Sequence, residues 1–375
     1  MALTIRETSQ VLKFKDKTPC YLFENEKFDD ISHKLRSAFQ DLGLNLIVGY
    51  SVKTNNARCI LKRAYENFGY LEVCSAEELK LAKKVGAKES RIIYNGVLPE
   101  IDYRFRVASH GGIVNIDNYT MYCGLVRIAE KHRRRIKIGI RVNGDIGNGY
   151  SRFGVIPDSE EWNKIFQQKS ECVDIVGISF HRYGGRGIEG WEKKLDVVCS
   201  VVDKIDNLEY IDFGSNFYGA MQPQLAEQFG ENIPSFSAYA RLIETRLHEK
   251  LKSMPAIIVE PGTPLVGNSV SILSKVADIK KQNGKKIAIA DVCRFDIGFL
   301  IESKEIPYDV VNDSDGEIVD SVHGYACTEN DVLIKNFSKK LSAGDFILFR
   351  NCGAYSYSQA SDFICKKPKM YEVEM

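Results

Sequence analysis

Eight short runs rich in valine and isoleucine recur along the first 260 residues, and charged, helix-like segments separate them. The runs are Leu46–Val52, Tyr70–Cys74, Arg91–Asn95, Gly112–Ile116, Ile136–Val142, Asp174–His181, Tyr210–Phe213 and Ala256–Glu260. They lie about 20 to 40 residues apart, and the segments between them, such as Ala76–Val85, repeat their apolar positions at helical spacing. Eight strand–helix units predict an α/β fold: a closed barrel of parallel strands, the (β/α)8 TIM architecture. After Gly262 the texture changes. Val270–Ile279, Lys286–Val292, Tyr308–Val311 and Asp345–Arg350 read as strands with no long helices between them. They predict a separate, mostly antiparallel β domain. Its first strand is expected near Ser9–Phe14, with Pro19 marking the start of the barrel. The expected division is a barrel over 19–267 and a β domain formed by 1–18 together with 268–375.

Charge narrows the function classes. The 375 residues carry 51 Lys and Arg against 50 Asp and Glu, and 44% are hydrophobic. Near-neutrality gives no general field for nucleic acid or for a membrane surface. The basic run His132–Arg135 reads as a solvated helix end. No window approaches the roughly 18 apolar residues that span a bilayer, and the amino-terminal stretch has no signal-type apolar segment, so a cytoplasmic protein is expected. Ten cysteines occur without a CxxC pair, which argues against a metal site and predicts free thiols, mostly in the core.

In this architecture active sites gather at the C-terminal ends of the strands. The polar residues expected there are Lys53, Glu72, Asn95, Asp117, Arg141, His181, Asp212 and Glu260. Lys53 follows the apolar run Leu46–Gly49. An amine held against apolar neighbours resists protonation, and the neutral amine attacks an aldehyde to form a Schiff base, which suits pyridoxal 5'-phosphate.

These residues carry a family resemblance. Tyr50-Ser51-Val52-Lys53 resembles the Schiff-base lysine motif of the fold-type III pyridoxal-phosphate decarboxylases, the ornithine, arginine and diaminopimelate decarboxylase group, whose barrel is shared with alanine racemase. Glu72 to Leu79 resembles the following strand and helix, and Gly177-Ile178-Ser179-Phe180-His181 the segment whose histidine stacks on the cofactor ring. Asp212-Phe213-Gly214-Ser215-Asn216-Phe217 stands where the family has its glycine-rich phosphate loop, and Glu260-Pro261-Gly262 where it has its pyridine-binding glutamate. Ala326 to Asp331 and Gly353-Ala354-Tyr355-Ser356 are similar to its cysteine motif and its phosphate-binding tyrosine. The motifs follow the family order from about Pro19 to Phe363.

The resemblance implies removal of the α-carboxylate of an amino acid, or of an amino-acid-derived biosynthetic intermediate, through a Schiff base and a quinonoid. Lys53 is then the covalent anchor, and Glu260, ionised, holds the ring nitrogen protonated. His181 stacks on the ring, Glu72 and Arg141 pair to brace the floor, and the amides of Gly214, Ser215, Asn216 and Gly262 receive the phosphate with the Tyr355 hydroxyl. Cys327 reprotonates the substrate carbon, reaching across from the second subunit of a homodimer. Three departures bear on the substrate. Thr263 replaces an arginine, and Arg182-Tyr183-Gly184-Gly185-Arg186 with Ser215-Asn216 replaces smaller, glycine-rich sequences, so that Arg186 is a candidate phosphate or substrate-carboxylate contact. Thr328 stands where the basic amino acid decarboxylases have an acid, leaving Glu329 or Asp331 as substitutes, or a substrate other than ornithine or lysine. A racemase or epimerase on the same fold, and a silent pyridoxal-phosphate-binding regulator, are the competing readings.

Overall fold

The computed structural model describes residues 4–230, 232–311 and 315–374. They form two compact units, one of Ser32–Tyr218 with Asn232–Gly262 and one of Met1–Ile31, Gly219–Glu231 and Thr263–Met375.

The first unit is the barrel. Counting Cys20–Glu24 as β1 of the chain, its strands are β2 (Leu46–Ser51), β3 (Tyr70–Val73), β4 (Ile92–Tyr94), β5 (Ile113–Ile116), β6 (Ile136–Arg141), β7 (Val173–Ser179), β8 (Tyr210–Asp212) and β9 (Ala256–Val259). Neighbours pair in parallel, and β2 pairs with β9 through Leu46↔Ile257 and Val48↔Val259 to close the ring. All eight predicted runs are strands. Most stop a residue or two before the predicted end.

Inside the barrel, Ile93, Val176, Tyr210 and Ile258 pack together with Ile47, Tyr70, Ile113 and Ala256 around them. The Tyr210 ring sets the choice of residue on two neighbouring strands. A Cβ on Gly177 would lie 2.1 Å from Tyr210 Cζ, and one on Gly139 would lie 2.3 Å from its hydroxyl oxygen. Only glycine leaves room for that ring.

The helices cover the outside by burying one stripe each. Ala76–Lys84 buries Ala76, Leu79 and Ala82, and the Ser75 hydroxyl caps it by accepting from Glu78 N. Tyr119–His132 ends in Arg133 at φ 49°, and the basic run is exposed as expected.

The second unit is a curled sheet. Beyond β1 its strands are β10 (Val270–Gln282), β11 (Lys285–Ala290), β12 (Tyr308–Val311), β13 (Glu317–Ile318), β14 (Ser321–His323), β15 (Val332–Ile334), β16 (Lys340–Leu341), β17 (Phe346–Phe349) and β18 (Lys369–Val373). The main order is β12-β17-β10-β11-β14-β15, with β1 joined to β10 and to β18, while β13 and β16 pair in a separate two-stranded sheet. Asn283 and Gly284, both at positive φ, make the tight turn between β10 and β11. Val11, Cys20, Leu22, Leu273, Val311, Phe346, Leu348 and Val373 form its core.

The strand expected at Ser9–Phe14 is not there. Ile5–Leu12 is a helix, opened by a capping box in which Glu7 N donates to Thr4 Oγ1 at 3.2 Å and Thr4 N to Glu7 Oε2 at 2.7 Å. The first strand is β1, antiparallel to β10 and parallel to β18. The ten cysteines are free thiols, but only Cys20, Cys199, Cys293 and Cys352 are buried. Among the described residues there is no cluster suited to a metal ion, and no helix long and apolar enough to cross a membrane.

Candidate active site

Beyond Ser51, β2 passes into a single 3-10 turn, Val52–Thr54, whose outer members are buried. That leaves Lys53 pointing into a cavity of about 640 Å³ at the C-terminal ends of the strands, lined also by Glu72, Cys74, Asn95, Arg141, His181 and Glu260. The volume is ordinary for a small-molecule site.

The lysine is not the apolar-flanked amine expected from its sequence context. Its Nζ lies 2.7 Å from Glu72 Oε2 and donates to Ser51 Oγ at 2.8 Å. Burial favours the neutral amine, but the carboxylates of Glu72 and Glu260 outweigh it and hold Lys53 well above the usual lysine range. Glu72 is fully buried, accepts from Ser51 Oγ at 2.7 Å and from Cys74 Sγ at 2.9 Å, and stays ionised against its burial.

The expected Glu72–Arg141 pair does not form either. Arg141 Nη1 pairs with Asp117 Oδ1 at 3.2 Å, and its Nη2 donates to His181 O at 3.3 Å. Asp117 belongs to the loop after the neighbouring strand β5, which makes it the nearer carboxylate.

Opposite the lysine lies a ring of buried amides and acids. Asn95 Nδ2 donates to Glu260 Oε1 at 2.5 Å, and Asn115 Nδ2 donates to Asn95 Oδ1 and to Asp212 Oδ2, both at 2.9 Å. Tyr210 OH donates to Asn115 Oδ1 at 2.8 Å, tying this layer to the apolar interior below. Glu260 and Asp212 also hydrogen-bond to each other. Burial and the mutual repulsion of Asp212, Glu260 and Glu72 push Glu260 well above the carboxylate range and Asp212 up to about 6. The two acids therefore resist ionising together and need a cationic partner before both can ionise; the ionised Glu260 of the sequence reading is the cofactor-bound state.

His181 follows β7. Burial comes first, and the charges of Lys53 and Arg141 add to it, lowering its pKa to about 3, so the imidazole is neutral. Ser215 N donates to its Nδ1 at 3.2 Å, which assigns the proton to Nε2. Gly214, at φ 61°, makes room for it, since a Cβ there would lie 1.9 Å from Nδ1. A Cβ on Gly262 would meet Thr54 Oγ1 at 1.9 Å. Of the amides expected to receive a phosphate, Gly214 N donates to Asp212 Oδ1 at 2.9 Å and Ser215 N to His181, so both are engaged within the loop. Asn216 stands at φ 86° and donates from its side chain to Gly184 O at 2.5 Å. Arg186 is half-buried, with its guanidinium 5.7 Å from the Tyr218 ring centre.

The remaining expected residues belong to the antiparallel unit. Cys327, Thr328 and Glu329 are exposed, and Tyr355 is half-buried at φ 57°. Asp331 is buried and scaffolds its own loop, accepting from Arg294 N at 2.8 Å and Ala326 N at 2.7 Å. The sequence reading missed Ser51, Cys74 and Asn115. A single polar residue among Ile113, Val114 and Ile116 was the available signal for Asn115.

A parallel eight-stranded barrel with a lysine, a shielded acid pair and a neutral histidine at its strand ends is the frame of a carbonyl-cofactor enzyme. The residues fit pyridoxal phosphate: a reachable amine, a flat neutral imidazole, and buried acids that lack a cation. The family described as pyridoxal-dependent decarboxylase, pyridoxal binding domain, matches residues 28–267. The diaminopimelate decarboxylase of Aquifex aeolicus is 26% identical over 95% of this chain and 86% of its own length. Among solved structures, diaminopimelate decarboxylase from M. jannaschii superposes with a TM-score of 0.84 at 22% identity, covering 96% of this chain and 88% of that one. The lysine/ornithine decarboxylase of Vibrio vulnificus, solved with putrescine, gives 0.80 at 18% identity over 99% of both chains. The chain belongs to the pyridoxal-dependent decarboxylases of fold type III. Its cofactor is pyridoxal phosphate and its reaction a decarboxylation, a carbon–carbon lyase activity.

Proposed function

We propose that this decarboxylase removes the α-carboxylate of an amino acid whose side chain does not end in a simple ammonium, using Lys53, Glu260, His181 and Cys327. The observation that carries the assignment of roles is the convergence of Lys53, Glu72, His181 and Glu260 on one cavity at the strand ends. Lys53 would hold the cofactor's aldehyde carbon, Glu260 its ring nitrogen and His181 its ring face. Gly214 to Asn216, Gly262 and Tyr355 would hold its phosphate. When bound, the cofactor supplies an electron sink for the pair left as the carboxylate departs.

The chain's own residues manage protons around that sink. Glu72 keeps Lys53 charged until a binding partner removes the need, and is the nearest base to accept the proton from Nζ, at 2.7 Å. The acid pair Asp212 and Glu260 would face the ring nitrogen. A cation placed there lets both carboxyls ionise, which offsets the cost of burying them. His181, neutral and held by Ser215 N, offers a flat apolar face without adding positive charge. Cys327 would deliver the proton that replaces the carboxylate at the α carbon, and the resemblance supports its reaching across from the opposite subunit of a homodimer. A cytoplasmic location accords with the free thiols.

The relatives named as diaminopimelate decarboxylases, together with Thr328 in place of an acid, support a substrate other than ornithine or lysine. The test is to incubate the cofactor-loaded protein in heavy water with amino acids of both chiralities and follow products by mass spectrometry. A product lacking carbon dioxide, with one deuterium on the former α carbon, is expected. Deuterium in an intact amino acid would replace this reading with racemisation.

A further inference from the structure

One charged side chain lies behind the ring of amides and acids without lining the cavity. Arg104 belongs to the helix Ile101–Ser109 and is fully buried, yet it forms no ion pair among the described residues. Glu100 and Asp117 are near enough for their charges to be felt, but Glu100 is turned to Ala76 N and Tyr94 OH, and Asp117 to Arg141 and Gly154 N. A buried guanidinium without a carboxylate is costly unless its donors are met in another way. Here main-chain carbonyls meet them. Nε donates to Pro99 O at 2.9 Å, Nη1 to Asn115 O at 3.0 Å and Tyr94 O at 3.4 Å, and Nη2 to Asn95 O at 2.7 Å, Gly96 O at 2.8 Å and Leu98 O at 3.1 Å. The Tyr94 ring covers one face, its centre 4.7 Å from the guanidinium carbon.

These carbonyls sit where the site is built. Those of Asn95, Gly96, Leu98 and Pro99 belong to the loop leaving β4, which has no ladder of its own to satisfy them, and Asn95 to Leu98 line the cavity. The far side of the loop rests on the end of β3. Asn95 N donates to Val73 O at 2.8 Å, and Gly96, at φ 89°, lies so close that a Cβ there would meet Cys74 O at 2.2 Å. Between these supports, one guanidinium holds the main chain of both Asn95 and Asn115. Their side-chain amides are the ones that run to Glu260 and Asp212, and they are joined to each other at 2.9 Å.

We infer that Arg104 is a positioning residue for the reaction: it holds the amides of Asn95 and Asn115 on Glu260 and Asp212, and so sets how readily Glu260 carries negative charge at the ring nitrogen. This rests on the assignment of Glu260 to that nitrogen. Arg104 reaches none of the acids itself and acts through the loop. An N–H donated to a carboxyl favours the ionised form, so an Asn95 that drifts from Glu260 leaves the acid harder to ionise. Lys53, Glu72 and Asp212 also face Glu260, and a substitution at 104 leaves them in place. Lysine is no replacement, because its three donors radiate from a single nitrogen and cannot span carbonyls on the β4 loop and on β5 together.

The test compares wild type with Arg104→Lys, Asn95→Ala and the double variant. In the cofactor-free protein, infrared titration follows the protonated carboxyl of Glu260, assigned by the band that Glu260→Gln removes. Its midpoint should rise by about one unit in Arg104→Lys and in Asn95→Ala, and by no more than that in the double variant. An unmoved midpoint in folded Arg104→Lys would overturn the inference, since Arg104 would then serve stability alone. Shifts that add in the double variant would overturn it as well, because Arg104 would not be acting through Asn95. In the loaded protein, the pH titration of the cofactor's visible band should be displaced in the same variants, with kcat lowered about 10- to 100-fold and KM little changed. A carboxyl midpoint that moves while the cofactor band stays fixed would leave Arg104 in its role and remove Glu260 from the ring nitrogen. If Arg104→Lys does not fold, Gly96→Ala displaces the same loop from its other side. A raised Glu260 midpoint in that variant supports the inference, and an unmoved one overturns it.

Discussion

Replacing Asp212 by asparagine should flatten the pH dependence of folding in the cofactor-free protein. Asp212 is fully buried, and burial leads the causes that raise it from 3.8 to about 6. An acid whose folded pKa is raised binds its proton more tightly in the folded chain. Its contribution to stability is therefore complete below 3.8 and disappears as pH climbs to about 6. The gap between those values corresponds to about 3 kcal/mol. Glu260, raised by burial, Asp212 and Glu72, acts in the same direction, and removing the Asp212 charge relieves part of its rise as well. His181, lowered to about 3, acts oppositely, with stability lost as pH falls below its ordinary value, but it is present in both proteins. The variant also gives up one of the bonds Asp212 accepts from Gly214 N and Asn115 Nδ2, at a pH-independent cost of about 1–3 kcal/mol. Urea titrations at intervals from pH 4 to 7 separate the two effects. Wild type should lose about 3 kcal/mol more than Asp212→Asn across that range. Parallel curves, differing only by a constant offset, would show that no proton is held between Asp212 and Glu260.

Lys53→Ala should abolish turnover and the visible imine absorption together, and a variant with wild-type turnover would end the covalent-anchor assignment. Gly214→Ala places a methyl 1.9 Å from His181 Nδ1 at φ 61°, so the ring must move. The backbone strain alone should cost about 1–2 kcal/mol in urea titrations, and cofactor affinity should fall with it. Tyr210→Phe leaves Asn115 Oδ1 without its 2.8 Å donor and should destabilise by about 1–3 kcal/mol, read by the same titrations; an unchanged midpoint would mean that the hydroxyl contributes nothing. Mixing inactive Lys53→Ala with inactive Cys327→Ala should restore activity through heterodimers, whereas a mixture that stays inactive would place both residues on one subunit's site.

The barrel was legible because each strand is a compact apolar run, and because polar residues at the ends of those runs mark the loops that follow. The helix at Ile5–Leu12 was misread because Val11, Leu12 and Phe14 suit a half-buried strand as well as a helix. What separates the two is the Thr4–Glu7 capping box, a signal four residues long. At the site the sequence supplied residue types but not partners. Arg141 turns to Asp117 and Lys53 to Glu72 because adjacent strands fix those distances, and strand adjacency around a closed ring is not visible along one dimension. The same applies to the coupling of Asp212 and Glu260: β8 and β9 are neighbours, and their last acids converge only when the barrel closes.

Tyr210, Gly139 and Gly177 lie on three consecutive strands and occupy one volume between them. They amount to a single heritable unit. As long as the tyrosine is present neither glycine can change, and losing the tyrosine would leave an opening that one substitution elsewhere could not fill. Divergent relatives should therefore carry either the whole trio or a wholesale replacement, with larger residues on β6 and β7 facing a smaller one on β8. A library that randomises the catalytic end of this barrel should hold all three fixed, since the platform for its amide and acid ring is built on them.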